Sequence, residues 1–159
     1  MKEAAGGIIE WGIKSGHSFL PARSSYNWKT GGKRFVIARK GKNYKIVLRN
    51  KSRTRAEVVL SVDGLDVMDG KAASVRKRGY ILDPGETLEV KGFRTSRSSV
   101  AKFRFSEVAG SYAALKHGKT RNVGVIGMVV FTEKGFDPWT WMPREIKRRN
   151  TAEAFAEAP

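Results

Sequence analysis

Residues Ser61–Gly70 read SVDGLDVMDG and set Asp63, Asp66 and Asp69 three positions apart in a chain that is otherwise basic. Clustered carboxylates can bind a hard divalent cation or share a proton in catalysis. A calcium loop of the EF-hand type, however, spaces its first ligands two apart and closes on a glutamate at its twelfth position. Counted from Asp63, that position is Ser74. Along an extended strand Asp63 and Asp69 stand too far apart to share one ion. The dipeptides Asp63-Gly64 and Asp69-Gly70 carry a different signal. Asp-Gly suits a two-residue hairpin loop, in which both central residues take positive φ. The stretch therefore reads as two chain reversals at a sheet edge. No cofactor, metal or catalytic residue is assigned, and Asp63, Asp66 and Asp69 are the candidates a metal would have.

Other chemistry-bearing patterns fall short. His117-Gly-Lys-Thr120 resembles the end of a phosphate loop, but the required earlier glycine is replaced by Ala113, and a strand pattern follows where a helix is needed. Neither His17 nor His117 has serine and acid partners in a recognisable order. Nothing singles out a pair of carboxylates for glycoside chemistry. The chain has no cysteine, which removes disulfides, thiolate nucleophiles and thiolate metal sites. The expectation is a protein that is not an enzyme.

Charge is the more informative property. The 159 residues carry 31 Lys and Arg against 15 Asp and Glu, a formal charge of +16. A field of one sign and that size implies an acidic partner. Between Arg34 and Val62 lie Arg34, Arg39, Lys40, Lys42, Lys45, Arg49, Lys51, Arg53 and Arg55, opposed only by Glu57. Arg76, Lys77 and Arg78 form a second group. Ordinary surfaces intersperse the two signs. A solvated sheet face, an acidic protein surface and nucleic acid are all compatible with this pattern. The stacking aromatics that single-strand binders carry at alternate outward positions are not evident.

The elements that must position these groups are strands. YKIVLRN puts Tyr44, Ile46 and Leu48 on one face and Lys45 and Arg49 on the other; AEVVLSV does the same with Ala56, Val58, Leu60 and Val62. RFVIA, LDVM, GYIL, TLEVKGF and VAKFRF supply further short strands, with a DPGE turn between two of them. SYAALKH at Ser111–His117 fits one or two helical turns. NVGVIGMVVF, nearly all apolar, reads as a central strand covered on both faces, with Gly124 and Gly127 marking close packing or a bulge. The fold class expected is all-β: an antiparallel β-sandwich, jelly-roll or immunoglobulin-like, with at most short helices.

Residues 34–133 form that domain. Residues 1–33 and 134–159 read as extended N- and C-terminal arms, rich in Gly and Ser or punctuated by proline. All four tryptophans, Trp11, Trp28, Trp139 and Trp141, lie in the arms. They either close the ends of the sandwich or anchor in a partner, where Trp is enriched. The N-terminus lacks the apolar run of a signal peptide and no segment approaches a membrane span, so synthesis in the cytoplasm is expected.

The block from Tyr44 to Glu133 resembles an uncharacterised bacterial and phage-associated β-sandwich family. VDGLDVMDGKAAS, KRGYILDPGETLEVKGFRTS, VAKFRF and SYAALKHGKTRNVGVIGMVVF carry the resemblance. It implies one fold unit and shared loop geometry, with no activity or catalytic residue to carry over. Together these readings predict a structural protein that docks on or cements a larger homo- or hetero-oligomeric assembly, with a phage or virus-like particle the leading context. The tryptophan arms would anchor it. Arg39, Lys40, Lys42, Lys45, Arg49, Arg53, Arg76, Lys77 and Arg78 would form its basic surface. The alternatives are a nucleic-acid-binding β module and a carbohydrate- or calcium-binding β-sandwich.

Overall fold

The computed structural model describes residues 8–21, 23–24, 34–107, 110–118 and 121–133. In chain order the strands are β1 (Ile9–Ser15), β2 (Ser18–Pro21), β3 (Arg23–Ser24), β4 (Arg34–Phe35), β5 (Asn43–Asn50), β6 (Ala56–Val62), β7 (Leu65–Asp66), β8 (Tyr80–Leu82), β9 (Thr87–Val90), β10 (Gly92–Arg94) and β11 (Val100–Arg104). The helix α1 (Tyr112–His117) and the strand β12 (Ile126–Thr132) complete them. The larger sheet runs β10-β11-β5-β1-β2, with β9 also paired to β5; the smaller runs β12-β6-β7, with β8 also paired to β6. Every pairing is antiparallel, and β3 and β4 form a separate two-stranded ribbon.

The two sheets share one core because their central strands alternate. Tyr44, Ile46 and Leu48 of β5 are buried, while Lys45, Val47 and Arg49 are not. On β6 the buried set is Ala56, Val58, Leu60 and Val62, as the period-two reading predicts, and Val59 is buried as well. Each Val, Leu or Ile side chain among them contributes about 1.5–3 kcal/mol when fully removed from water. Residues of both sheets, such as Ile13, Ile46, Val58 and Leu60, belong to a single apolar cluster. At one end aromatic rings stack on it, with Tyr44 at 5.3 Å from Phe103 and 4.2 Å from Phe105.

Two elements depart from expectation. Ile9–Ser15, assigned from sequence to the N-terminal arm, is a strand of the larger sheet that pairs with β5 along six residues from Ile9↔Asn50 to Lys14↔Lys45. Ile9 and Ile13 are fully buried, and Trp11, opposite Leu48, packs half-buried against the core. Its ring packs against this chain's own core. Trp28, Trp139 and Trp141, and residues 134–159 as a whole, lie outside the described residues. The second departure is β12. It ends the smaller sheet instead of lying at its centre, and only Val130 in it is buried. Its apolar run packs inward by one face, and among the described residues only one of its edges is paired. Gly127 of this strand lies against Ser61 Oγ, the close approach its glycine suggested.

Loops are fixed by polar side chains. Asn50 is fully buried at the β5–β6 turn. Its amide nitrogen donates to the carbonyls of Thr54 (2.9 Å) and Leu82 (3.0 Å), and its oxygen accepts from the Ser52 amide (2.9 Å) and hydroxyl (2.7 Å). Ser111 caps α1 by accepting from the Ala114 amide, and Gly118 ends the helix with φ 64°.

Candidate polyanion interface

The three aspartates occupy three separate positions. Asp63 and Gly64 take φ 55° and 78° in the hairpin loop that pairs Val62 with Leu65. This is the geometry in which Asp-Gly is favoured. The Asp63 carboxylate accepts the Gly124 amide at 2.7 Å and so ties the hairpin tip to the turn before β12. Burial raises its pKa above the ordinary aspartate value, and the Gly124 amide opposes the rise. Asp66 is buried, 2% exposed, and accepts the Met68 amide at 2.9 Å; here too burial raises the pKa against its hydrogen bonds. Asp69 accepts the Lys71 amide at 2.8 Å and pairs with Lys77 Nζ at 2.9 Å. Partial burial raises its pKa, but Lys77 and the Lys71 amide outweigh that and the net shift is downward. Each carboxylate is thus committed to a backbone amide of its own loop or a neighbouring one. Among the described residues no three of His, Cys, Asp or Glu stand together as a metal would require.

His117 is likewise engaged in structure. His117 Nε2–H donates to the Gly70 carbonyl at 2.9 Å, which holds α1 against the Asp69-Gly70 turn. The helix ends at His117, so it lies before the Gly-Lys-Thr stretch rather than after it, the reverse of a phosphate loop. A cleft of about 360 Å³ opens beside Tyr44, Asp63, Phe105 and Ile126. Burial pushes the Tyr44 phenol well above its ordinary pKa, so it is a neutral wall of that cleft.

Cations gather on the outer face of the larger sheet. In the β1–β5 register Lys14 lies directly opposite Lys45, so both ammonium groups project from the same face. Like charges in that position repel. Glu89 of β9, opposite Val47, reaches both, with Oε1 3.3 Å from Lys14 and Oε2 3.4 Å from Lys45. Hydrogen bonds from Lys14 and then Lys45 hold its carboxyl below the usual glutamate range. Lys91, between β9 and β10, and Lys102, opposite Gly92, complete a basin of about 410 Å³ that Asn43 and Tyr44 also line. Lys91 and Lys102 pair with no carboxylate among the described residues. Four lysines therefore share one acid. Solvent-screened ion pairs of this kind contribute little to stability, so the fold does not account for the cluster.

The basic residues marked in the sequence do not form one patch. Lys45 and Arg49 do face outward from β5. Arg39, Lys40 and Lys42 lie in the exposed loop before it, where Lys40 pairs with Glu107. Arg53 sits in the β5–β6 turn and has interactions of its own. Arg76 and Arg78 flank Lys77, which is drawn into the Asp69 loop. Of the four basin lysines only Lys45 belongs to the basic surface expected from sequence; Lys14, Lys91 and Lys102 do not. Lys14 had a signal: Ile9, Trp11 and Ile13 alternate with it on β1. No protein-family model, curated protein or solved structure matches the chain. Among the described residues no helix is long and apolar enough to cross a membrane.

Proposed function

We propose that this chain is a non-enzymatic β-sandwich that docks on the polyanionic surface of a larger assembly through the outer face of its larger sheet. The observation that carries the reading is the like-charged pair Lys14–Lys45, joined by Lys91 and Lys102 in one basin with Glu89 as the single opposing acid among the described residues. Repulsion within such a cluster is relieved when an anion enters, which makes the basin complementary to phosphate- or carboxylate-rich surfaces. The net charge of +16 adds long-range attraction to the same partners. A phage or virus-like particle, with an acidic shell or packaged nucleic acid, is the context proposed, and segments beyond the sheets would add area to the contact.

The test is retention of the full-length protein on immobilised heparin. Replacing Lys14, Lys45, Lys91 and Lys102 together by glutamine should lower the eluting salt concentration far more than replacing Arg39, Arg76, Arg78 and Lys116, which removes the same charge elsewhere. Equal effects from the two sets would show that net charge alone binds and would remove the basin from the account.

A further inference from the structure

Phe19 is a large apolar side chain left 45% exposed on β2. A lone exposed phenylalanine is ordinary on a protein surface. Its register is what distinguishes it. Phe19 lies opposite Lys14 in the β1–β2 ladder, and Lys14 lies opposite Lys45 in the β1–β5 ladder. Residues directly opposite share a face. One row across three adjacent strands thus reads Phe19, Lys14, Lys45, at strand spacings of about 4.7–4.9 Å. It runs on into Lys91 and Lys102 beyond β5. An exposed aromatic ring stands at one end of a track of cations.

We propose that this row binds single-stranded nucleic acid, with backbone phosphates on Lys14, Lys45, Lys91 and Lys102 and an unstacked base on the ring of Phe19. The inference rests on the polyanion reading above and names its ligand. Single strands offer the two chemistries the row offers in return, a line of anionic phosphates and exposed base faces. A duplex shows the basin its phosphates but keeps its bases stacked inside. An acidic peptide supplies carboxylates for the lysines and nothing that requires Phe19. Stacking is tolerant of base identity, and no outward residue in the row has the paired donor–acceptor geometry that reads a base edge, so binding is independent of sequence. Asn43, which also lines the basin, adds a neutral hydrogen-bonding group beside the phosphates.

The experiment measures affinity of the full-length protein by fluorescence anisotropy for a labelled 12-nucleotide oligo-dT. Comparison ligands are an abasic strand of the same length, a duplex, and polyglutamate. Oligo-dT should bind more tightly than the abasic strand. Phe19→Ala should weaken oligo-dT binding by about 5- to 150-fold, leave the abasic strand unaffected, and keep the salt dependence unchanged; Phe19→Tyr should restore affinity. Lys14→Gln with Lys45→Gln should instead flatten the slope of log affinity against log salt by about 0.7 per lysine. Should oligo-dT, the abasic strand and polyglutamate bind alike, with Phe19→Ala silent, the single-strand inference falls and the polyanion reading stands. If none of the four ligands binds even at low salt, both fall. The oligo-dT versus abasic comparison uses the unaltered protein, so it decides the matter even if Phe19→Ala fails to fold.

Discussion

Replacing Asn50 by alanine tests how the β5–β6 turn is locked to the smaller sheet. The side chain is fully buried and makes four hydrogen bonds, to the Thr54 and Leu82 carbonyls and from the Ser52 amide and hydroxyl. The one Ser52 hydroxyl proton is shared with Thr54 O at 2.9 Å and can pass wholly to it, so those two groups keep a partner when Asn50 is truncated. The Leu82 carbonyl and the Ser52 amide lose their side-chain partner. A buried polar group left unpaired costs about 1–3 kcal/mol. Ser52 and Thr54 sit at the margin of the solvent, which relieves part of that, so the expected loss is about 2–4 kcal/mol. In urea, with a slope of about 2 kcal/mol/M, the midpoint should fall by about 1–2 M at unchanged slope. Asn50→Asp sharpens the test. It keeps an acceptor for Ser52 but turns a second carboxylate oxygen toward two carbonyls. Burial raises such a carboxyl's pKa in the folded state, so this variant should be most stable at low pH and lose stability as pH rises through that raised value. An alanine variant within about 0.5 kcal/mol of wild type, or an aspartate variant equal to wild type at neutral pH, would refute the reasoning.

Other perturbations address the loops and the basin. Asp66 has a folded-state pKa raised above the ordinary 3.8, so the folded protein holds this proton to higher pH than the unfolded chain does. Its contribution therefore falls as pH rises through the raised value. Melting temperatures from acid to neutral pH should show wild type losing ground to Asp66→Asn across that window, and parallel curves would contradict the assignment. Asp69 shifts the other way, so its contribution is present above 3.8 and disappears as pH falls through its lowered value, a loss that Asp69→Asn should abolish. Gly92→Ala places a Cβ within the backbone carbonyl of Ala101 on the paired strand, which cannot rotate away. Urea unfolding should show a loss of about 1–3 kcal/mol or more. Glu89→Gln removes the one acid between Lys14 and Lys45. Heparin elution should move to higher salt, and an unchanged or earlier elution would show that Glu89 does not compete with the partner.

Local sequence carried much of the fold. The alternation in Tyr44–Leu48 and Ala56–Val62 identified both central strands and their inward faces, because a half-buried strand imposes a period of two. Asp63-Gly64 identified its hairpin because few other dipeptides adopt two positive φ values readily. The short helix was legible as SYAALKH, and the structure shows Ser111 and Gly118 capping its two ends. Ile9–Ser15 was lost in the Gly- and Ser-rich composition around it, although Ile9, Trp11 and Ile13 alternate. The place of β12 at a sheet edge was hidden for another reason: an apolar run reports burial without saying which edges are paired. The lysine basin was the least legible feature. Lys14 and Lys45 are 31 positions apart, and their meeting depends on the register of two separate strands. The same holds for Phe19, whose alignment with Lys14 follows from the β1–β2 ladder.

Chemical-shift mapping of the isotopically labelled full-length protein with oligo-dT tests the account's central claim most directly. The amides of Lys14, Lys45, Glu89, Lys91 and Lys102, with the Lys Nζ groups and the ring of Phe19, should shift together at substoichiometric ligand and return as salt is raised. Perturbations confined to the Arg76–Arg78 loop or to the outward face of β6 and β12, with the lysine basin silent, would contradict it.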